Sequence, residues 1–68
     1  MNTFRDVVDA FGGVSAYAAA TGRTRVWAKK VRERNSLNAA HFATTAEAAK
    51  AAGLPITIDV LARIADAR

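Results

Sequence analysis

Apolar residues recur along most of this chain at the spacing of helix faces, and no alternating run is long enough to build a sheet. Phe4, Val7, Val8 and Phe11 fall at i, i+3, i+4 and i+7, one side of a first helix. Asn2 or Thr3 is placed to cap it, and Asp6, three residues after Thr3, completes an approximate capping box at the positive helix end. Gly12-Gly13 ends it. Val14 to Thr21 reads V-S-A-Y-A-A-A-T, a short alanine-rich helix closed by Gly22, which takes the left-handed conformation easily. Thr24 caps a third helix about two residues later, running to about Arg34.

A 100° step per residue separates the faces of that third helix. Trp27, Ala28 and Val31 share one side, Arg25, Lys29 and Arg32 another, with Val26, Lys30 and Glu33 next to the latter. One side is expected to be buried and the other to be basic. Trp27 is expected in the core against Phe4, Phe11 or Val31, with a place at the binding surface as the alternative. Tyr17 is expected in the core with its hydroxyl at the surface. Asn35-Ser36 stops the helix, and Leu37 tucks back toward the core.

Asn38 is placed to cap a fourth helix reaching Ala52 before Gly53 and Pro55, although Thr44 and Glu47 form a second capping box at which the segment could break and restart. Thr57 caps a last helix, with Asp59 in its first turn and Ile58, Leu61, Ile64 and Ala65 as its apolar stripe. The pattern predicts an all-α fold, a compact bundle of about five short helices forming one domain over residues 1–68.

Composition changes the picture in two ways. Apolar residues make up 51% of the chain, but many are alanine, which adds helix propensity and little buried area. With 68 residues and no cysteine, neither disulfides nor a thiolate metal site can support so thin a core, so a homodimer is the expected further source of stability. The net charge of +4 is also concentrated. Gly22 to Arg34 carries six bases against Glu33 alone, a local +5, while the rest of the chain comes to −1. Such a surface favours a polyanion, because binding releases counterions from phosphates. No apolar run reaches the roughly 18 residues of a membrane span and no signal-peptide pattern opens the chain, so a cytoplasmic protein without a membrane partner is expected.

Two short helices joined at a glycine suggest a helix-turn-helix. Such a motif needs a small residue in its first helix for close packing, a glycine in the turn, and apolar anchors about six and nine positions later. Ala18, Gly22, Ala28 and Val31 meet these needs, with Tyr17 the bulky residue before Ala18. The stretch from Phe11 to about Ile64 resembles the small Cro-type repressors, especially the YdaS-like members of bacterial and prophage genomes. Those have F-G, a small helix, a glycine turn, a recognition helix, a segment of the type E-R-G-x-I-P-A-x-H, an alanine-rich helix ending in glycine, and a final I-T-x-x-x-L helix. The corresponding residues are Phe11-Gly12, Gly22, the E-R-N-S-L-N-A-A-H of Glu33 to His41, Gly53, and Ile56-Thr57 with Leu61. Three positions depart from the pattern: Thr21 and Arg23 stand where apolar anchors are common, and the large residue often found at the Val31 position appears instead at Trp27.

The resemblance implies a Cro-like or lambda-repressor-like bundle and phage-related gene control. Geometry and chemistry then assign roles. Thr24, Arg25, Val26, Lys29 and Lys30 are the expected base-reading set, since Arg and Lys donate to guanine O6 and N7 and an apolar side chain meets a thymine methyl. Ser15, Arg23, Arg32, Arg34, Asn38 and His41 are the expected phosphate contacts. The expectation is a sequence-specific regulator of transcription, a repressor binding an inverted repeat in double-stranded DNA through the major groove, bacterial and nucleoid-associated when bound. The alternatives are an architectural or excisionase-like DNA-bending protein and, from another class, an antitoxin or anti-regulator docking on an acidic protein. One histidine, dispersed acids and no glycine-rich phosphate loop or metal-ligand cluster argue against an enzyme, a cofactor or a metal site.

Overall fold

In the computed structural model, which describes residues 1–67, five α-helices pack around one core. They are α1 (Phe4–Ala10), α2 (Val14–Thr21), α3 (Arg25–Arg34), α4 (Phe42–Ala51) and α5 (Ile58–Asp66), with a 3₁₀ turn at Ala39–His41. Among the described residues there is no strand, and no helix is long and apolar enough to cross a membrane. The expected all-helical fold and its approximate helix number are found.

The first helix starts as its sequence predicts. Thr3 Oγ1 accepts the Asp6 N–H at 3.1 Å, while Asp6 Oδ2 accepts from the Asn2 and Thr3 N–H groups at 3.0 and 3.2 Å. Hydrogen bonding to the charged carboxylate, first of all from Asn2, holds Asp6 below its ordinary titration range. The turn after α2 is closed in the same economical way. Gly22 stands at φ 69, its N–H reaches Ala19 O, and the Arg23 N–H reaches Ala18 O, the two bonds that satisfy carbonyls left over at a helix end.

Phe4, Val7 and Val8 from α1, Tyr17 and Ala18 from α2, Ala28 and Val31 from α3, and Leu61 and Ile64 from α5 fill the centre, with Leu37, Ala49 and Ile56 completing it. Alanine at the contacts lets helix axes approach closely. α2 packs against α1, α3 and α4; α1 also supports α3, and α5 rests on α4.

Three expectations change. Asn38 caps only the 3₁₀ turn, accepting from the Ala40 N–H at 2.9 Å, and α4 begins at Phe42 instead of at Asn38 or Thr44. Thr44 lies inside the helix, and the next residue, Thr45, is fully buried. The Tyr17 hydroxyl is likewise not at the surface: it meets Thr45 Oγ1 at 2.9 Å inside the core. In α5 the buried stripe is narrower than the apolar positions suggest. Ile58 is 52% exposed and Ala65 is exposed, since Ile56, just before the helix, already takes the core place and Val60 packs at its edge.

Candidate nucleic-acid interface

α3 is held from behind and open in front. Ala28 and Val31 are buried on the side facing α1 and α2, and Thr24 fixes the start by accepting the Trp27 N–H at 3.1 Å. At the far end Asn35 takes the left-handed conformation at φ 50 and its Oδ1 accepts from the Phe4 N–H at 2.8 Å and from the Arg5 N–H at 3.4 Å. Arg5 returns the tie: its Nε and Nη2 donate to the carbonyls of Arg32 and Glu33 at 3.0 and 3.2 Å. A cation at the negative end of α3 also suits the helix dipole.

The outward side carries Arg25, Val26, Lys29 and Lys30, all exposed, with Val26 left 65% open despite its apolar side chain. Lys29 faces Glu33 one turn on at 3.7 Å, an exposed pair that solvent and salt weaken. Lys30 has no hydrogen bond or ion pair with any described residue.

Several of the residues assigned to one partner from the sequence meet each other. Arg25 Nε donates to Ser15 Oγ at 2.8 Å, tying the first turn of α3 to the first turn of α2. This leaves the terminal guanidinium nitrogens of Arg25 for other acceptors. Arg23, whose position departs from the Cro-like pattern, is exposed and sits over the Trp27 ring at 5.5 Å while donating from Nη2 to His41 Nδ1 at 3.0 Å. Thr21, the other departure, folds its hydroxyl back onto Tyr17 O at 2.8 Å, so its polar group is satisfied within α2.

Trp27 is half-buried, neither sealed in the core nor open on the surface. Its ring stacks on Tyr17 at 5.5 Å and 16°, and His41 meets it edge-on at 5.1 Å. The partners expected from spacing were Phe4, Phe11 and Val31; the structure gives a row running from buried Tyr17 through Trp27 to His41 and Arg23.

Arg32 differs from the other cations of the helix. Asp9 binds it with two hydrogen bonds, 2.9 and 3.3 Å, and this carboxylate raises the guanidinium above its ordinary value. Arg34 is exposed without a partner among the described residues, whereas Asn38 spends its carbonyl oxygen on the cap of the 3₁₀ turn. The roles of Arg5, Asp9 and Asn35 in fixing α3 were not read from the sequence. Arg5 and Asp9 lie four residues apart on the polar side of α1, a spacing that marks one face but not what it faces.

Among the described residues no group of histidine and acidic side chains is placed to hold a metal ion. Comparison with known proteins finds no matching family model, curated protein or solved structure.

Proposed function

We propose that this protein is a sequence-specific double-stranded DNA-binding regulator of transcription, with α2, the Gly22 turn and α3 acting as a helix-turn-helix. The observation that carries the reading is the two-sidedness of α3. Its inner side is locked by Ala28, Val31, Asn35 and Arg5, while Arg25, Val26, Lys29 and Lys30 stand exposed together on the outer side. A major groove about 12 Å wide admits such a helix. Arg25 and Lys29 then donate to base edges, Val26 meets a thymine methyl, and Thr24 and Lys30 complete the set at its margins. Ser15, Arg23, Arg34, Asn38 and His41 are assigned to phosphates; Arg32, engaged by Asp9, contributes less.

The resemblance to small Cro-type and YdaS-like repressors supports repression by occupation of an inverted-repeat operator in the bacterial cytoplasm. Two copies are expected per site, since a pseudo-palindromic operator mirrors a two-fold dimer. Leu61 and Ile64 are consumed by the core, so of the apolar stripe on α5 Ile58 and Ala65 are left exposed for such a contact.

A competition shift assay on genomic fragments at moderate salt tests the reading. One class of fragments should resist displacement by unrelated DNA, with two protein chains bound per site. Equal competition by all DNA would leave a low-specificity architectural protein, and absence of binding would leave a protein-docking module; either removes the regulator reading.

A further inference from the structure

A notch of about 190 Å³ opens beside the C-terminal half of α3, where the chain passes from that helix into the 3₁₀ turn. The buried Val31 and Leu37 form its apolar part. Lys30, Arg34, Ser36, Asn38 and His41 supply its polar part, with the Trp27 ring alongside. Among the described residues no carboxylate lines it.

Apart from the Ser36 hydroxyl, which can donate or accept, the hydrogen-bond capacity of these groups is one-sided. Lysine, arginine and the tryptophan indole donate and never accept. His41 is decided by its neighbour: the Arg23 guanidinium, 3.0 Å from Nδ1, can only donate, so Nδ1 is the acceptor and the ring N–H sits on Nε2. Asn38 is decided in the same manner, because its Oδ1 already accepts the Ala40 N–H at 2.9 Å and its amide NH₂ remains to donate. Lys30 and Arg34, one turn apart on the same face, repel each other, and no described acid pairs with either. A concave wall of donors with two uncompensated positive charges is complementary to an oxyanion.

We propose that this notch is a binding site for a phosphoryl group, held by Arg34 and Lys30 with the His41 Nε2–H and the Asn38 amide as further donors. The site exists in the free protein and stands without the DNA reading. Two sources can bring the group: a strand of bound duplex, or a small phosphorylated molecule that then competes with DNA for Lys30 and Arg34.

Trp27 is the only tryptophan, so its indole N–H resonance reports on the notch without ambiguity. Titrating the DNA-free protein with inorganic phosphate at constant ionic strength, balanced by chloride, should give saturable shifts at Trp27, Lys30, Arg34 and His41, with half-saturation on the order of a millimolar. Arg34→Gln and Lys30→Gln, both at exposed positions, should each weaken binding about tenfold or more. Lys50→Gln, which removes an exposed cation from α4, should not. Dimethyl phosphate binding as well as phosphate, with duplex DNA abolishing the phosphate response, assigns the group to a strand; a strong preference for phosphate and simple monoesters assigns it to a free molecule. Linear shifts no different from chloride, or equal losses in all three variants, would overturn the site.

Discussion

Asn35 ends one helix and begins another: its backbone stands at φ 50 after α3, and its Oδ1 accepts the Phe4 N–H at 2.8 Å at the start of α1. The first N–H groups of a helix have no partners within it. In α1 they are shared out, Asp6 N–H to Thr3 and those of Phe4 and Arg5 to Asn35. The two functions of Asn35 can be separated by substitution. Asn35→Gly keeps the left-handed backbone and loses the cap, and should cost about 1 kcal/mol. Asn35→Ala loses both and should cost about 2 kcal/mol, whereas Asn35→Asp keeps an acceptor and should cost least. Urea unfolding of the three variants checks the order, and an Asn35→Gly protein as stable as the parent would show that the bond to α1 contributes nothing.

The hydroxyl pair between α2 and α4 makes a second prediction. Removing one partner strands a buried polar atom, so Tyr17→Phe or Thr45→Val should each cost about 1 to 3 kcal/mol. With both removed no polar atom is left stranded, and the double variant should be more stable than the sum of the single losses by about 1 kcal/mol. Strict additivity would contradict the contact.

The same tyrosine governs alkaline stability. Burial raises the phenol above its ordinary value of 10.0, against a smaller opposing effect of the Thr45 bond. Above pH 10 the unfolded chain releases this proton while the folded chain keeps it, so stability is full below that pH and falls as pH rises toward the folded value. Tyr17→Phe should flatten this alkaline decline in thermal melts, and an unchanged decline would assign it to other groups.

Asp6 acts at the opposite end of the scale. Its carboxyl titrates below the ordinary 3.8, so its contribution is present above that value and is lost as pH falls through the lower folded one. Asp6→Asn should be less stable at neutral pH and lose less on acidification below pH 4. A parallel decline of both proteins would argue against the capping box as an acid-sensitive element.

On DNA, the exposed residues of α3 should divide by chemistry. Val26→Ser should leave stability within about 0.5 kcal/mol, because the side chain is 65% exposed, while changing which bases are preferred in a selection from random sequences. Arg25→Ala should relax preference at one guanine by about 1 to 3 kcal/mol. Asp9→Asn should act differently, freeing Arg32 and steepening the salt dependence by about one unit on all sequences. Identical effects of the three on every sequence would remove the distinction between reading and phosphate contact.

Local signals were strong enough to place the helix boundaries of the first half. The Thr3 box, the Gly12-Gly13 stop, the Gly22 turn and the Thr24 cap each depend on a few adjacent residues, and each is found where its chemistry puts it. What escaped depends on residues far apart in the chain. The burial of the Tyr17 hydroxyl needs Thr45, 28 positions away, and the start of α4 at Phe42 comes without any side-chain cap of its own. Exposure of Ile58 was hidden for a related reason: a helical stripe shows which residues share a side, but Ile56 outside the helix takes the core position. At the candidate interface the basic side of α3 was legible from its charge. Its internal pairs were not, because sequence spacing does not reveal that Asp9 reaches Arg32 or that His41 meets Arg23 and Trp27.

The ties from α1 to α3 bear on time as well as on stability. Arg5 and Asn35 clasp the far end of α3, and Asp9 holds its flank. On the proposed reading, a helix fixed in this way meets DNA already ordered, so no folding step stands between collision and docking and little motional freedom remains to be lost. Under that proposal the rate of association should follow long-range attraction between opposite charges, and selectivity should show in how long the complex lasts.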